Sequence, residues 1–354
     1  MKKKLSVRLS AVLLCLCIIL TVCSCGAKKA EFTSFAMGSA VTAAVYTENE
    51  DEAAALWSEI CTAISDSDKA LSATDKASDI SRINASGTAV VSKYTVSFLE
   101  KAVLLCNTLD RKTDITLGAA TSLWGFSSDS PQVPDEEALK NAVGTVDIDG
   151  IFIDEANSTV SLQKGQKLDL GALGKGEGCD IIREKLTEKG LSACVSFGGN
   201  ILVTGKNPSG KNGMWKIGLR DPKKGVNDVF AYMTVDSSSG AVCISTSGSY
   251  EKAFEHNGKK YHHILDPETG YPVENGIASV NVICRSGLNA DALSTALFVN
   301  GLNDRALSFL KAFSAEAVFV FKNGSVYATK GADKILTISN SSSYKTVSYE
   351  EAAK

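Results

Sequence analysis

The sequence predicts an α+β fold, one two-lobed domain of packed helices with mixed or antiparallel sheets, and three observations lead there. Apolar residues at 54, 57, 60, 61, 64 and 71 recur at helical spacing. Strand-like runs then follow one another, separated by Gly, Pro, Asn or Lys turns. Helices and strands mix without regular βαβ alternation, which points away from a doubly wound parallel sheet.

In chain order, Phe32–Thr47 alternates as strands around a Met37-Gly38-Ser39 turn. Helices are expected over Asp51–Leu71 and Thr95–Leu109, and a surface loop over Ser127–Glu137 with its two prolines and acids. Short strands are expected at Ile151–Asp154 and Thr159–Leu162. A Gly-rich turn at 171–178 then leads into a helix ending near Lys189. Ala193–Thr204, Met214–Arg220, Phe230–Val235 and Ala241–Ser245 read as an antiparallel meander. Ser279–Cys284 adds a strand before a helix capped by Asn289 and a second helix over Asp304–Phe313. Strands near Ala317–Phe321 and Val326–Thr329 precede a Ser-rich tail, 339–354, expected to fray. The folded domain is placed at 32–338.

The chain has 354 residues, 44% hydrophobic and 22% charged, ordinary values for a globular protein with a sizeable core. The first 24 residues read as a signal peptide: Lys2, Lys3, Lys4 and Arg8 precede the apolar run Ala11–Val22, which is short for a membrane span. Val22-Cys23-Ser24-Cys25-Gly26 resembles a lipoprotein processing box. Cys25 is the expected lipidated residue, followed by a tether over 25–31. The expected location is the extracytoplasmic face of the cell membrane, held by that lipid; an uncleaved anchor or plain secretion are the alternatives. Loss of residues 1–24 removes four cations and no acids, taking the net charge from −3 to −7. A mildly acidic body without a basic stripe excludes nucleic acid as a partner. Cys61, Cys106, Cys179, Cys194, Cys243 and Cys284 are scattered, without a Cys-x-x-Cys pair, so a zinc site is not expected. They read as buried free thiols.

Asp291 and Thr295 lie four residues apart, so their oxygens share a helix face, with Ser294 beside them. A carboxylate and hydroxyls in an apolar segment fit a hard-cation site; on spacing alone they more often mark a helix whose Asp and Thr satisfy nearby backbone donors. Asp169-Leu-Gly-Ala-Leu-Gly-Lys175-Gly can bring a backbone against a phosphate, with Lys175 meeting it directly, or can be a tight turn into a helix. Thr113-Asp114-Ile-Thr-Leu-Gly reads as a strand or turn, and Met37 taken alone as core filler. His263 precedes Ile-Leu265-Asp-Pro-Glu-Thr-Gly-Tyr-Pro, whose Pro267 and Gly270 make a fixed turn. A lone histidine is more often structural.

Taken together and in this order, these segments resemble the FAD:protein FMN transferases of the ApbE type, from about Phe32 to about Gly301. The resemblance implies a T-fold-like domain that moves FMN from FAD, its substrate, to a Thr or Ser hydroxyl of a target protein and releases AMP. It implies Mg²⁺, or Mn²⁺ in its place, held by the Ala172 carbonyl, Asp291 and Thr295, with Ser294 as a weaker candidate. FAD contacts are implied at Met37, Thr113, Asp114, Asp169, Lys175 and Leu265. Ser245-Thr-Ser-Gly248 would shape the same wall. Thr74 stands where relatives commonly place an aromatic that stacks on the cofactor. His263 and Asp291 become the catalytic candidates, with His263 as base for the acceptor hydroxyl. Acceptor flavoproteins or redox-pump subunits are the implied partners. A flavin-scavenging lipoprotein and an FAD pyrophosphatase are the other functional classes compatible with the same pocket.

Overall fold

The computed structural model describes residues 27–353; the signal segment and Cys25 lie outside them. A long hairpin opens the chain: β1 (Lys28–Ala36) pairs antiparallel with β2 (Ser39–Thr47). The strand thus starts within the expected tether. Asn49 accepts the backbone N–H groups of Asp51 and Glu52 and so starts α1 (Glu50–Leu71), whose Leu56, Ile60 and Ile64 form its buried stripe. There follow α2 (Asp79–Ser86), β3 (Thr88–Val90), α3 (Lys93–Thr108), α4 (Gly118–Trp124) and α5 (Glu136–Val143). Next come β4 (Ile151–Asp154), β5 (Thr159–Leu162), α6 (Gly174–Glu188), β6 (Ser192–Phe197), β7 (Asn200–Thr204), β8 (Trp215–Arg220) and β9 (Val229–Val235). The rest is β10 (Val242–Gly248), β11 (Ala253–His256), β12 (Lys259–His262), β13 (Ile277–Cys284), α7 (Gly287–Asn300) and α8 (Asp304–Ala312). It closes with β14 (Glu316–Phe321), β15 (Ser325–Ala328), α9 (Lys330–Asp333), β16 (Leu336–Ile338), β17 (Lys345–Thr346) and α10 (Tyr349–Ala352).

A nine-stranded sheet in the order β1-β2-β6-β7-β10-β13-β14-β15-β17 is the central layer. Period-2 alternation splits its side chains between two cores. Along β14, Ala317 and Phe319 face the helices, while Val318 and Val320 face a small sheet of β16-β9-β8. A third core joins Leu117, Ala120, Trp124, Leu139, Ala142 and Leu265.

Several expectations change. The meander is interrupted: β8 and β9 leave the main sheet as a pair, β9 also pairing with β16, and β10 pairs with β7 instead. Gly174, Gly176 and Gly178 are inside α6, not in a turn before it. A Cβ on Gly178 would lie 2.4 Å from the Phe197 ring, so close packing, not turning, needs that glycine. The helix after β13 is capped by Ser286, whose side chain accepts the Asn289 N–H; Asn289 is already inside the helix. Of the strand or turn expected over 115–118, the structure has the turn, over 115–117, leading into α4. The tail does not fray: β17 lies parallel to β15, and Tyr344 is buried with its hydroxyl 2.7 Å from Asp221 Oδ1. All six described cysteines are free, four buried and two half-buried.

Candidate functional site

Helix α7 is buried nearly all round, as expected for one apolar on every face. Its polar side chains therefore need partners inside the protein. Asp291, 4% exposed, has two. Its Oδ2 accepts the Gly176 N–H at 2.8 Å, and its Oδ1 accepts the Ser245 hydroxyl at 2.8 Å. Gly176 is the third residue of α6, and the capping position Leu173 offers that helix no side-chain acceptor. Asp291 thus supplies the α6 cap from outside, where the helix dipole favours a negative charge. The reverse also holds. Asp180 of α6 accepts the Ser286 hydroxyl (2.7 Å) and the N–H groups of Gly287 (2.6 Å) and Leu288 (3.1 Å) at the start of α7. Two glycines permit this reciprocal arrangement. A Cβ on Gly176 would sit 2.5 Å from the Gly287 carbonyl oxygen, and one on Gly287 would sit 2.5 Å from that of Gly176.

Strand β10 presents Ser245 and, two residues on, Ser247 to the same face. Ser247 Oγ lies 2.8 Å from Ser294 Oγ and 3.2 Å from Thr295 Oγ1. Asp291, Thr295, Ser294 and Ser247 thus form a cluster of oxygen atoms only. Ala172 stands in the turn just before α6, held by Asp169, whose Oδ1 accepts the Gly171 N–H at 2.8 Å. Among the described residues no three His, Cys, Asp or Glu side chains gather as a metal site. The donors on hand are one carboxylate with hydroxyls. Such hard oxygens suit ions of the Mg²⁺ or Mn²⁺ kind.

A cationic wall adjoins the cluster. A Cβ on Gly198 (φ +53°) would touch Ser39 Oγ at 2.5 Å and Lys175 Cδ at 3.1 Å; one on Gly174 would lie 3.9 Å from Met37 Sδ. The β1–β2 turn, the start of α6 and the β6–β7 turn therefore meet at Lys175. Met37, at φ +48°, donates its N–H to Asp68 Oδ2. Burial lowers the Lys252 pKa, and Lys175 lowers it further. Burial also raises the Glu251 pKa, against the pull of Lys175, Arg220 and Lys252.

His263 is half-buried, and its Nδ1 lies 3.1 Å from the Glu251 carbonyl. A carbonyl only accepts, so Nδ1 carries the hydrogen and Nε2 keeps its lone pair. Burial, then Lys175 and Lys252, push its pKa down to about 3, so the ring is neutral at pH 7. His262 differs: Nε2 donates to the Val273 carbonyl and Nδ1 accepts the Ile264 N–H, leaving no free nitrogen.

The other expected flavin contacts are placed less openly. Thr113 is buried and donates its hydroxyl to the Ala292 carbonyl of α7 at 2.8 Å. Asp114 is buried, which raises its pKa, and its Oδ1 accepts the Thr116 N–H and hydroxyl. Leu265 packs in the third core and bridges to Pro272. Thr74 is exposed in the turn after α1, its hydroxyl 3.2 Å from Ser72 Oγ. Residues missed from the sequence are Asn200, Glu251, Lys252 and Asp180. The only signal for Asn200 was the Gly198-Gly199 pair before it.

Fold and site together define a single α+β domain in which an oxygen-donor cluster faces a cationic wall, a setting for polyanion chemistry. The ApbE family model matches residues 37–319. The chain belongs to the ApbE family. It is 32% identical over 337 residues to the FAD:protein FMN transferase of Treponema pallidum, covering 89% of this chain and 92% of that one. The FAD:protein FMN transferase of Klebsiella pneumoniae is 29% identical, with 82% and 89% covered. Among solved structures, the ApbE protein of Thermotoga maritima superposes with a TM-score of 0.78 at 30% identity, covering 87% of this chain and 99% of that one. The Pseudomonas stutzeri flavinyl transferase ApbE in its apo form gives 0.73 at 28% identity, with 88% and 97% covered. The chain is an enzyme of the transferase class.

Proposed function

We propose that this protein transfers FMN from FAD to a Thr or Ser hydroxyl of a target protein, with Mg²⁺ or Mn²⁺ and release of AMP. The observation that carries the reading is the oxygen cluster of Asp291 and Thr295 set beside Lys175, Lys252 and a neutral His263. Asp291, Thr295 and the Ala172 carbonyl would hold the divalent ion, which supplies charge neutralisation at the pyrophosphate. Lys175 and Lys252 bind the phosphate oxygens. The acceptor oxygen forms a new bond to the FMN phosphorus as the bond from that phosphorus to the AMP oxygen breaks. His263 Nε2 takes the acceptor proton. A pyrophosphate that neutralises Lys175 and Lys252 removes their share of the pKa depression and raises the ring's basicity, while the larger share from burial stays.

The test is incubation with FAD, Mg²⁺ and an acceptor domain, followed by the intact mass of the acceptor and assay of AMP. FMN on the acceptor with equal AMP is expected; AMP with free FMN only would make the protein a pyrophosphatase, and neither product a binding protein. The proposal extends to location and partners. Cys25 carries lipid, the domain works on the outer face of the membrane, and its acceptors are extracytoplasmic flavoproteins or redox-pump subunits. Among the described residues no helix is long and apolar enough to cross a membrane. Cys25→Ser should release an active domain into the soluble fraction; a cleaved but membrane-bound variant would refute the anchor.

A further inference from the structure

Asn200 begins β7 directly after Gly198 and Gly199, and it is fully buried. One of its two terminal side-chain atoms lies 2.6 Å from Ser245 Oγ, and Ser245 Oγ lies 2.8 Å from Asp291 Oδ1. Ser245 has one proton. A carboxylate only accepts, so that proton belongs to Asp291. The structure sets the Asn200 oxygen on Ser245, so two acceptors compete for the one proton. The amide nitrogen is then buried without a partner. Turning the amide by half a rotation removes the competition: nitrogen donates to Ser245 Oγ, Ser245 donates to Asp291, and the amide oxygen takes the outward position.

We propose that Asn200 is a positioning residue for the Asp291 carboxylate, acting through Ser245. The chain runs one way, from the Asn200 amide to the Ser245 hydroxyl to Asp291 Oδ1. The Gly176 N–H holds Oδ2 from the other side. Each carboxylate oxygen receives one hydrogen bond and keeps a lone pair for a metal ion. Without Asn200, nothing stops the Ser245 proton from turning to Ser294 Oγ, 3.4 Å away, which would release Oδ1.

This rests on the proposed reading of Asp291 as a metal ligand, and the experiment separates the two. Mn²⁺ is titrated into the full chain with FAD in excess, with free Mn²⁺ read by electron paramagnetic resonance. The variants are Asn200→Ala, Ser245→Ala, both together, and Asp291→Asn. FAD affinity in EDTA and thermal unfolding are measured alongside. Loss of partners behind a ligand weakens metal binding by about 10- to 100-fold. That loss is expected for Asn200→Ala and for Ser245→Ala, with the double variant no worse than the weaker single, since both cut one chain. FAD affinity in EDTA should stay at the wild-type value in Asn200→Ala, which a general structural defect would not allow. Should Asn200→Ala fail to fold, Ser245→Ala carries the same comparison. Wild-type Mn²⁺ affinity in the single variants, or additive losses, would overturn the relay while leaving the metal reading in place. Unchanged Mn²⁺ affinity in Asp291→Asn would overturn both.

Discussion

Gly176→Ala is an unusually direct test of how the site is built, because two effects of opposite sign meet there. An alanine in a helix is favoured over glycine by about 1 kcal/mol. Against this, its Cβ would fall 2.5 Å from the Gly287 oxygen and 2.7 Å from Asp291 Cβ. The closest of these is backbone of a buried helix and cannot rotate aside, so α6 and α7 must separate. Overpacking of that kind costs about 1–3 kcal/mol, and loss of the Asp291 cap on α6 adds about 1 kcal/mol. The net expectation is destabilisation by about 1–3 kcal/mol, together with weaker Mn²⁺ binding because Asp291 moves with α7. Gly144→Ala is the control. Gly144 lies at φ −61° after α5, and a Cβ there meets nothing closer than 3.4 Å. It should be neutral, or stabilising by up to about 1 kcal/mol. Urea unfolding of the two variants at pH 7 gives the comparison. A Gly176→Ala protein as stable as wild type, with intact Mn²⁺ affinity, would refute the close crossing of the two helices as the basis of the site.

Asp291→Ala should abolish metal-dependent turnover and also cost about 1–3 kcal/mol, because it leaves the buried Gly176 N–H unpaired; Thr295→Val should be milder on both counts, and full activity of Asp291→Ala in Mg²⁺ would end the metal assignment. His263, held near pKa 3 against an ordinary 6.5, contributes stability that is complete above pH 6.5 and is lost as pH falls toward 3. The buried carboxyls Asp114, Glu177 and Glu251 have raised pKa values and pull the other way. The quantity to measure is therefore the difference from His263→Gln: urea midpoints between pH 6.5 and 4.5 should fall less in the variant, and an equal or steeper fall would contradict the neutral ring. Thr74→Tyr should tighten FAD binding, by less than the roughly 1–3 kcal/mol typical of base–aromatic stacking. Unchanged or weaker binding in a fluorescence titration would remove the turn after α1 from the flavin site.

Where the sequence carried its own periodicity, the elements were legible. The apolar spacing over 51–71 became Glu50–Leu71, and the two short strands fell at Ile151–Asp154 and Thr159–Leu162 as expected. The glycine-rich stretch misled because glycine signals a turn locally, whereas Gly176 and Gly178 are spent on close contacts with α7 and Phe197 that only the tertiary structure defines. The tail misled for a similar reason, since a polar run with one buried tyrosine gives no local sign of its pairing with β15. At the site, Asp291 and Thr295 were visible because helical spacing alone puts them on one face. Asn200, Ser245 and Asp291 come from two strands and a helix; no window on the sequence contains all three, and their order as donors and acceptors exists only in space.

The exchanged caps of α6 and α7 tie the two helices together along their lengths as well as across their contact. Asp180 and Asp291 each reach the first turn of the other helix, so sliding either helix by one residue would break both attachments at once. Neither end has an independent way to fray. An opening that exposes the Gly176 amide must release the carboxylate that also serves the site, and the Gly287 amide should open in the same event. Hydrogen exchange at those two amides is thus expected to share one opening free energy, and markedly different protection would show the two helix ends to be uncoupled. In such a fold the placement of Asp291 and the helix crossing form and melt as one cooperative unit, and the divalent ion proposed for Asp291 would brace the helices as well as serve the chemistry.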